Sequence, residues 1–331
     1  MTDVPHHSRA SFGFGAAFFA PVALCALAAS CGSRFDLVIG QNGSSVGTGG
    51  GATEGGAPDV GGNAGTLNGG APHGGASEAG AGGASGAGPM ICSTGELPPA
   101  ASLLHRYPFD GSGTVIADTV GTAAGTLIAT DASALNGMGA LDLKGGLSYV
   151  NLPNGLISPL VDATLMAWIS WPQGGAAYQR IFDFGDTTLG EDPPWEKAGD
   201  YQGASYLAAS PFSSWGPGRN LGVEIKMPTT AAINYGAVED VKDSDVHQVS
   251  VVFESTVGIR LYLDGLPVGS LNAPLARLAD IHDVNDWLGR SQTEADNPLR
   301  ALFYEFRIYN AALSECAIAT QYLAGPDSPS P

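Results

Sequence analysis

The chain has 331 residues, of which 48 are glycine and four are cysteine. It carries 14 basic residues against 32 acidic ones, which gives a formal net charge of -18. Nucleic acids and anionic lipid surfaces are bound through clustered Lys and Arg, so this charge excludes nucleic acid as a partner and disfavours electrostatic docking on lipid. The length allows two domains of ordinary size, but the uneven spread of glycine indicates a shorter folded part.

The N-terminal residues have the layout of a secretory signal. An uncharged apolar run at 12–29 follows Arg9, and a group of small residues ends at Cys31. This ending resembles the lipobox of bacterial lipoproteins, in which the cysteine is lipidated and begins the mature chain. Residues 1–30 are therefore predicted to be a lipoprotein signal peptide, and Gly32 after the cysteine implies an outer-membrane location. Simple secretion and a retained membrane helix are the alternatives.

Residues 31–95 are predicted to form a disordered tether. Between 40 and 89 the sequence consists mostly of Gly, Ala, Ser and Thr, and it holds 20 of the 48 glycines. Such a stretch cannot bury enough apolar surface to offset its chain entropy. A flexible Gly-rich chain of about 50 residues has an r.m.s. span of roughly 40 Å. The tether would therefore hold a domain near a membrane without fixing its orientation.

From 96 to 325 the pattern changes to short runs of β-branched, aromatic and leucine residues that are broken by Gly, Pro, Asn or Asp. This pattern predicts a single all-β domain, either a sandwich or a barrel. The predicted strands are, in chain order, 103–109, 140–143, 148–152, 164–171, 180–184, 204–209, 221–227, 247–254, 259–264 and 302–309. One short helix is predicted at 314–323, with Ser314 as its N-cap and Gly325 just beyond its end, before a disordered tail at 326–331.

Four sequence blocks in this region carry a resemblance to a known family. The blocks are Tyr107-Pro-Phe-Asp-Gly-Ser-Gly, Arg180-Ile-Phe-Asp-Phe-Gly, His247-Gln-Val-Ser-Val-Val-Phe with Arg260-Leu-Tyr-Leu-Asp-Gly, and Tyr304-Glu-Phe-Arg-Ile-Tyr. Together they resemble the laminin-G-like, concanavalin-A-like jelly-roll family over residues 100–323. The resemblance implies a two-sheet antiparallel jelly-roll sandwich with about six or seven strands in each sheet. It does not fix function, since the family includes carbohydrate binders, adhesion modules and some hydrolases.

The sequence lacks the motifs that would indicate an enzyme. Jelly-roll glucanases place Glu-x-Asp-x-x-Glu on one strand face, but here Glu294-x-Asp296 has Leu299 in the third position. Residues 96–325 also lack a nucleophile elbow, a zinc-protease helix motif and a dinucleotide-binding loop. We therefore expect a non-catalytic extracytoplasmic binding module, with a glycoside hydrolase as the disfavoured alternative.

Two loops carry aromatic residues beside carboxylates. The segments 186–201 and 211–219 are too rich in Gly and Pro to be core strands. Their candidate ligand-binding residues are Trp195, Tyr201, Phe212, Trp215, Asp186 and Asp192. Aromatic faces pack on sugar rings while carboxylates accept hydrogen bonds from hydroxyl groups, so the expected partner is an extracellular glycan or glycoconjugate. The alternatives are adhesion to a surface protein and aromatics that only fill the sheet ends.

Calcium is the cofactor that the resemblance suggests. Laminin-G-like domains often carry one ion in a shell of oxygen ligands, and Asp110 matches an acidic position frequent in the family. Relatives commonly have an Asp where this chain has Tyr304. The resemblance therefore implies Asp110 as the candidate Ca²⁺ ligand in a site that the Tyr304 departure weakens.

Cys92 and Cys316 flank the predicted domain and are separate from the cysteines of the signal and the lipobox. In an oxidising compartment two such thiols predict a disulfide that joins the domain entrance to the C-terminal helix. Two buried free thiols are the alternative. In the chain-entropy model, closing so long a loop would stabilise the fold by about 4–5 kcal/mol.

Overall fold

A computed structural model describes residue 92 and residues 95–172, 175–215 and 220–326 of the chain. The predicted signal peptide at 1–30, the lipidation site Cys31 and nearly all of the tether lie outside the described residues. All structural statements below concern the described residues.

The described residues form sixteen strands, one 3-10 helix and one α-helix. The strands are β1 (Leu103–Tyr107), β2 (Val115–Ile116), β3 (Gly125–Ile128), β4 (Ala134–Leu135), β5 (Leu141–Lys144), β6 (Tyr149–Leu152), β7 (Ala163–Ser170), β8 (Phe182–Thr187), β9 (Gly203–Ser210), β10 (Gly222–Lys226), β11 (Ile233–Gly236), β12 (Val246–Glu254), β13 (Gly258–Leu263), β14 (Leu266–Asn272), β15 (Asn285–Leu288) and β16 (Arg300–Tyr309). The 3-10 helix is Leu278–Asp280, and the α-helix α1 is Glu315–Ala324.

The strands build two antiparallel sheets, as the sequence predicts. Sheet 1 has the order β14-β13-β12-β7-β16-β5-β4, and β1 also pairs with β16. Sheet 2 has the order β11-β10-β9-β8-β15-β6-β3-β2. Each sheet has eight strands in the described part, more than the resemblance implies, because each sheet includes an edge strand of two residues, β4 or β2.

The core lies between the sheets and is built by alternation along each strand. Phe182 and Phe184 of β8 meet Phe306 of β16 at ring-centroid distances of 5.9 and 6.0 Å. Every residue of β7 is buried, because this central strand of sheet 1 is covered on both faces. Trp168 and Trp171 are both buried.

Helix α1 covers the outer face of sheet 1, the face that is turned away from sheet 2. Ser314 caps it, since its side chain accepts a hydrogen bond from the backbone N–H of Ala317, and Gly325 ends it with a φ of 79°. Ile318 packs in an apolar cluster with Trp168 beneath the helix. These observations confirm the predicted helix. The described part of the chain contains no helix with the length and hydropathy needed to cross a membrane.

The disulfide between Cys92 and Cys316 is present, with a Cα–Cα distance of 5.2 Å. It joins residues that are 224 positions apart and fastens the start of the domain to the first turn of α1. The prediction of a disulfide is therefore confirmed over the alternative of two free thiols.

A tight turn at Asp264 and Gly265 joins β13 to β14, and both residues have positive φ, 51° and 79°. Asp264 accepts a hydrogen bond from His247 at 2.7 Å, and Asp243 lies 2.9 Å from the other ring nitrogen. Burial lowers the pKa of His247, but the two carboxylates outweigh burial and raise that pKa to about 9. His247 is therefore a protonated link at the rim of sheet 1.

Candidate functional site

The outer face of sheet 2 carries side chains that strand alternation keeps out of the core. In β8, Phe182 and Phe184 lie in the core, so Asp183 between them lies on the outer face. In β10, the same alternation places Glu224 on that face. Side chains from the segment 290–298 contact this face, so most of its polar groups are buried.

One buried arginine binds three carboxylates on this face. Arg180, which is 3% exposed, donates through Nη2 to Glu224 at 3.2 Å and to Asp296 at 3.0 Å. Its Nε lies 3.4 Å from Asp183 Oδ2 and donates to the Ser291 hydroxyl at 3.3 Å. We call Arg180, Asp183, Glu224 and Asp296 the Arg180 network. One guanidinium cannot neutralise three carboxylates, so the network holds an acidic surplus.

Burial favours protonation of two of these carboxylates and so reduces the negative charge of the network. It raises the pKa of Asp183 to about 7, although Arg180 and the backbone N–H of Gln292 both lower it. Burial also raises the pKa of Glu224. Among the described residues, Asp183 Oδ1 and Arg180 Nη1 have no hydrogen-bond partner. The network therefore contains a buried donor and a buried acceptor that form no hydrogen bond within the described fold.

Tyr178 and Trp215 form an aromatic platform beside this network. Their ring centroids are 6.0 Å apart at an interplanar angle of 56°, and both side chains are partly exposed. The guanidinium carbon of Arg180 lies 5.1 Å from the centroid of the Trp215 ring, a cation–π contact that orients the indole. A Cβ on Gly222 would lie 2.9 Å from the same ring, so the glycine allows the indole to approach the sheet.

The backbone at Tyr178 has an unusual conformation for a bulky residue. Its φ is 63°, in the left-handed region that costs a non-glycine residue of order 1–3 kcal/mol. The backbone N–H of Tyr178 donates to the carbonyl of Phe212 at 2.8 Å, and the Tyr178 hydroxyl hydrogen-bonds with the Ser214 hydroxyl. These contacts join the two loops that carry the platform and fix the position of the Tyr178 ring.

A second group of aromatic side chains on this face surrounds Arg290, a residue of the chain itself. The guanidinium carbon of Arg290 lies 3.8 Å from the Trp287 ring centroid and 4.7 Å from that of Tyr149. Trp195 and Tyr201 add further faces at 5.3 and 5.7 Å. Arg290 also donates to the Tyr201 hydroxyl at 2.8 Å. We call this set the Arg290 box.

Burial favours one of the two interpretations of the aromatic residues in this box. Trp195 is 8% exposed and Tyr201 is 1% exposed, so neither offers an open face to a ligand in this conformation. Both side chains instead fill the space over sheet 2, as the structural alternative expected. Arg290, which occupies the box, was missed by sequence reasoning. Its signal in the sequence was its place just after β15, in the segment Trp287-Leu-Gly-Arg.

The other three candidates lie apart from the platform or are engaged elsewhere. Phe212 is partly buried against Trp171, and the Lys242 ammonium lies 4.0 Å from its ring centroid. Asp186 accepts two hydrogen bonds from Ser205, both at 2.7 Å. Asp192 is exposed. Of the six predicted residues, the structure therefore places only Trp215 on the open aromatic platform.

Glu294 fastens the loop that closes the Arg290 box. Its carboxylate accepts hydrogen bonds from the backbone N–H groups of Glu196 at 3.0 Å and Asp200 at 2.6 Å. These backbone hydrogen bonds lower the pKa of Glu294. The ionised carboxylate is therefore part of what keeps Trp195 and Tyr201 in place.

Asp110, the predicted calcium ligand, is an exposed residue in the middle of the first sequence block. No group of three or more His, Cys, Asp or Glu side chains in the described ranges is placed to hold a metal ion. Calcium needs several oxygen ligands, which the acidic side chains near Asp110 do not supply as a group. Calcium at Asp110 therefore stays a prediction of the family resemblance.

Comparison with known proteins agrees with this architecture. A laminin G family model, described as the concanavalin A-like lectin/glucanases superfamily, matches residues 144–319. Domain 4 of AbnA, a GH43 extracellular arabinanase from Geobacillus stearothermophilus solved in complex with arabinotriose, matches with a TM-score of 0.50 and 17% identity over 66% of this chain and 97% of that one. No match was found among curated proteins.

Two further structures are similar at lower scores. Trypanosoma rangeli sialidase in complex with sialic acid has a TM-score of 0.48 and 16% identity over 68% of this chain and 33% of its own. The binding domain of botulinum neurotoxin serotype D/C has a TM-score of 0.49 and 11% identity over 67% of this chain and 52% of its own. The family model spans more than half of the chain and its expected fold is the one observed, so the chain belongs to the concanavalin A-like lectin/glucanases superfamily.

Proposed function

We propose that the domain is a non-catalytic carbohydrate-binding module whose ligand lies on the platform of Tyr178 and Trp215. The observation that carries the proposal is the pairing of two partly exposed aromatic rings at a ring-centroid distance of 6.0 Å. Aromatic faces are suited to the apolar C–H face of a sugar ring. The contact with Arg180 holds Trp215 in place before a ligand arrives, which lowers the ordering cost of binding.

The polar groups beside the platform indicate the charge of the ligand. Ser214 is exposed, and the Asp296 side chain is 14% exposed, so both can meet sugar hydroxyl groups. The acidic surplus of the Arg180 network would repel an anionic sugar. Residues 96–325 hold 26 acidic and 12 basic residues, so the wider surface acts in the same direction. We therefore propose a neutral or cationic glycan.

The carboxylates of this face support binding over catalysis. Asp183 is 0% exposed and Glu224 is 7% exposed, and both are held by Arg180. A glycosidase needs two carboxyl groups that can reach the scissile bond. The buried carboxylates of Asp183 and Glu224 instead hold Arg180 in place beneath Trp215. The similarity to a domain that was solved with arabinotriose makes that sugar a rational first probe.

The experiment is a glycan array with the folded protein, followed by calorimetry with arabinotriose and with any glycan that the array retains. Trp215→Ala and Tyr178→Ala should each weaken glycan binding about 10- to 100-fold, or about 1.4–2.7 kcal/mol. Tyr322→Ala is the matched control, because Tyr322 is 38% exposed on α1, on the opposite side of the sandwich. Binding that is equal in all three variants, with folding intact, would assign the ligand to another surface.

We also propose that the domain is displayed outside the cytoplasm by an outer-membrane lipid anchor on Cys31, with simple secretion as the alternative. The disulfide Cys92–Cys316 supports an oxidising compartment. Replacing Cys31 with Ser should move the protein from the membrane fraction to the soluble fraction. Retention of the Cys31→Ser protein in the membrane fraction would reject the lipid anchor.

A further inference from the structure

Strand β11 is an edge strand of four residues that lacks charge, proline and irregular pairing. Edge strands in soluble proteins are commonly protected by these three features or by very short length, such as the two residues of β2 and β4. β14, the outer strand of sheet 1, contains Pro267 and has a register shift in its pairing with β13. β11, the outer strand of sheet 2, has the sequence Ile-Asn-Tyr-Gly and a regular register with β10. Within the described strands, β11 is therefore open to pairing with another strand.

An apolar cavity lies beside the first residue of β11. It has a volume of about 260 Å³ and is lined by Ile225, Met227 and Ile233 on one side and by Ala273, Pro274 and Leu275 on the other, among other residues. No charged side chain lines it. A cavity of about 150 Å³ accepts a benzene molecule, so this one is large enough for a leucine side chain.

The same surface carries a side chain of the right kind to fill that cavity. Leu275 at the cavity rim is 88% exposed, and Ile233 is 41% exposed. A protruding apolar side chain and an apolar cavity on one surface make that surface self-complementary. Self-complementarity is what an interface between two identical subunits related by a twofold axis requires.

Charge also favours a second copy on this surface. With a net charge of -18, two copies of the chain repel one another over most approaches. The uncharged cavity and the uncharged strand β11 form a neutral area where two copies can meet without pairing like charges.

We propose that β11 and the adjacent cavity form a homodimer interface. In the dimer, the two β11 strands pair antiparallel about Ile233, the residue beside the cavity, so that Leu275 of each copy enters the cavity of the other. β11 lies next to the platform, since a Cβ on Gly236 would lie 2.0 Å from the carbonyl oxygen of Trp215. The dimer would therefore bring two platforms onto one continuous sheet, and binding at both would add avidity for a repeating glycan.

Sedimentation equilibrium of the purified full chain tests the proposal without any glycan, so its outcome is independent of the proposed sugar site. We expect a concentration-dependent monomer–dimer equilibrium that Leu275→Asp weakens at least 10-fold. Met138→Asp is the matched control, because Met138 is 85% exposed at a site away from the cavity and β11, and it should leave the equilibrium unchanged.

A second variant keeps the test independent of the cavity. Asn234 is exposed on β11, and Asn234→Lys places a charge on the edge strand that should also weaken the dimer at least 10-fold. A chain that stays monomeric up to millimolar concentration would overturn the proposal. The proposal would also be overturned if the Leu275→Asp and Asn234→Lys proteins had the same dimer dissociation constant as the Met138→Asp protein.

Discussion

The two outer faces of the sandwich are covered in different ways. Helix α1 closes the face of sheet 1 with an apolar cluster that includes Trp168 and Ile318, and the disulfide fastens the first turn of the helix. Loop segments cover the face of sheet 2 and bury charged groups such as Arg180 and Arg290. Both covers bury charge at a desolvation cost, since Arg307 and Glu305 are fully buried under α1, where Arg307 donates to Glu305 and to Gln321 of the helix. On sheet 2 a single arginine, Arg180, is shared by three carboxylates. The face with this unbalanced group of charges is the one on which we place ligand binding.

Removing Arg180 is expected to have the largest effect. Arg180→Ala leaves the buried Asp183 and Glu224 and the partly buried Asp296 without their shared cation, so it should lower the free energy of unfolding by about 3–5 kcal/mol. Arg300→Ala is the control, since Arg300 is exposed on β16, and it should change stability by no more than about 0.5 kcal/mol. Urea denaturation measures both. Equal stability of the two variants would show that the Arg180 network contributes little to the cover of sheet 2.

The contribution of His247, at the rim of sheet 1, to the free energy of unfolding should depend on pH. The folded-state pKa of His247 is raised to about 9 from an ordinary 6.5, so its stabilisation is complete below about pH 6.5 and is lost as pH rises through 9. Its carboxylate partners are partly exposed, so we expect a loss of about 1–3 kcal/mol between pH 6 and pH 9.5.

The variant His247→Gln should lose this component of the pH dependence. His282→Gln is the matched control, because the His282 side chain is 68% exposed, and it should keep the wild-type profile. Chemical denaturation across the pH range is the measurement. A wild-type profile in the His247→Gln protein would rule out this histidine as the titrating link.

The smallest expected effect is local to the loop of the Arg290 box. Glu294→Gln weakens the hydrogen bonds to the backbone at Glu196 and Asp200, so the loop should open more often while the melting temperature barely changes. Trypsin should then cleave after Lys197, an exposed residue of this loop, faster than in the wild type. Peptide mapping by mass spectrometry follows this cleavage. An unchanged rate would show that other contacts hold the loop.

Local sequence signals predicted the parts of the fold that depend on neighbouring residues. Ser314 and Gly325 mark the two ends of α1, as predicted. Six of the sixteen described strands were not predicted, namely β2, β3, β4, β11, β14 and β15. β2 and β4 have two residues each, too few for alternation to show, and the other four contain Gly, Pro, Asn or Asp, the residues that the prediction took as strand breaks. These strands depend on pairing partners that are distant in sequence.

The candidate site shows the same limit more sharply. Trp195 and Trp215 lie in similar loops rich in Gly and Pro, and nothing local separates them. Their different exposure comes from two arginines: Arg290 lies against Trp195 inside a closed box, whereas Arg180 supports Trp215 at an open platform. These contacts depend on how the loops cross sheet 2, which a single sequence does not reveal.

The difference between the open and the closed aromatic group can be measured directly by NMR on protein with ¹⁵N-labelled tryptophan. The chain has five tryptophans, so each indole N–H signal can be assigned by single substitution. The measurement is a titration with the glycan that the array retains, or with arabinotriose. We expect the Trp215 signal to shift in proportion to occupancy while those of Trp195 and Trp287 stay in place. Shifts at Trp195 and Trp287 with a stationary Trp215 signal would contradict the platform and assign the ligand to the Arg290 box.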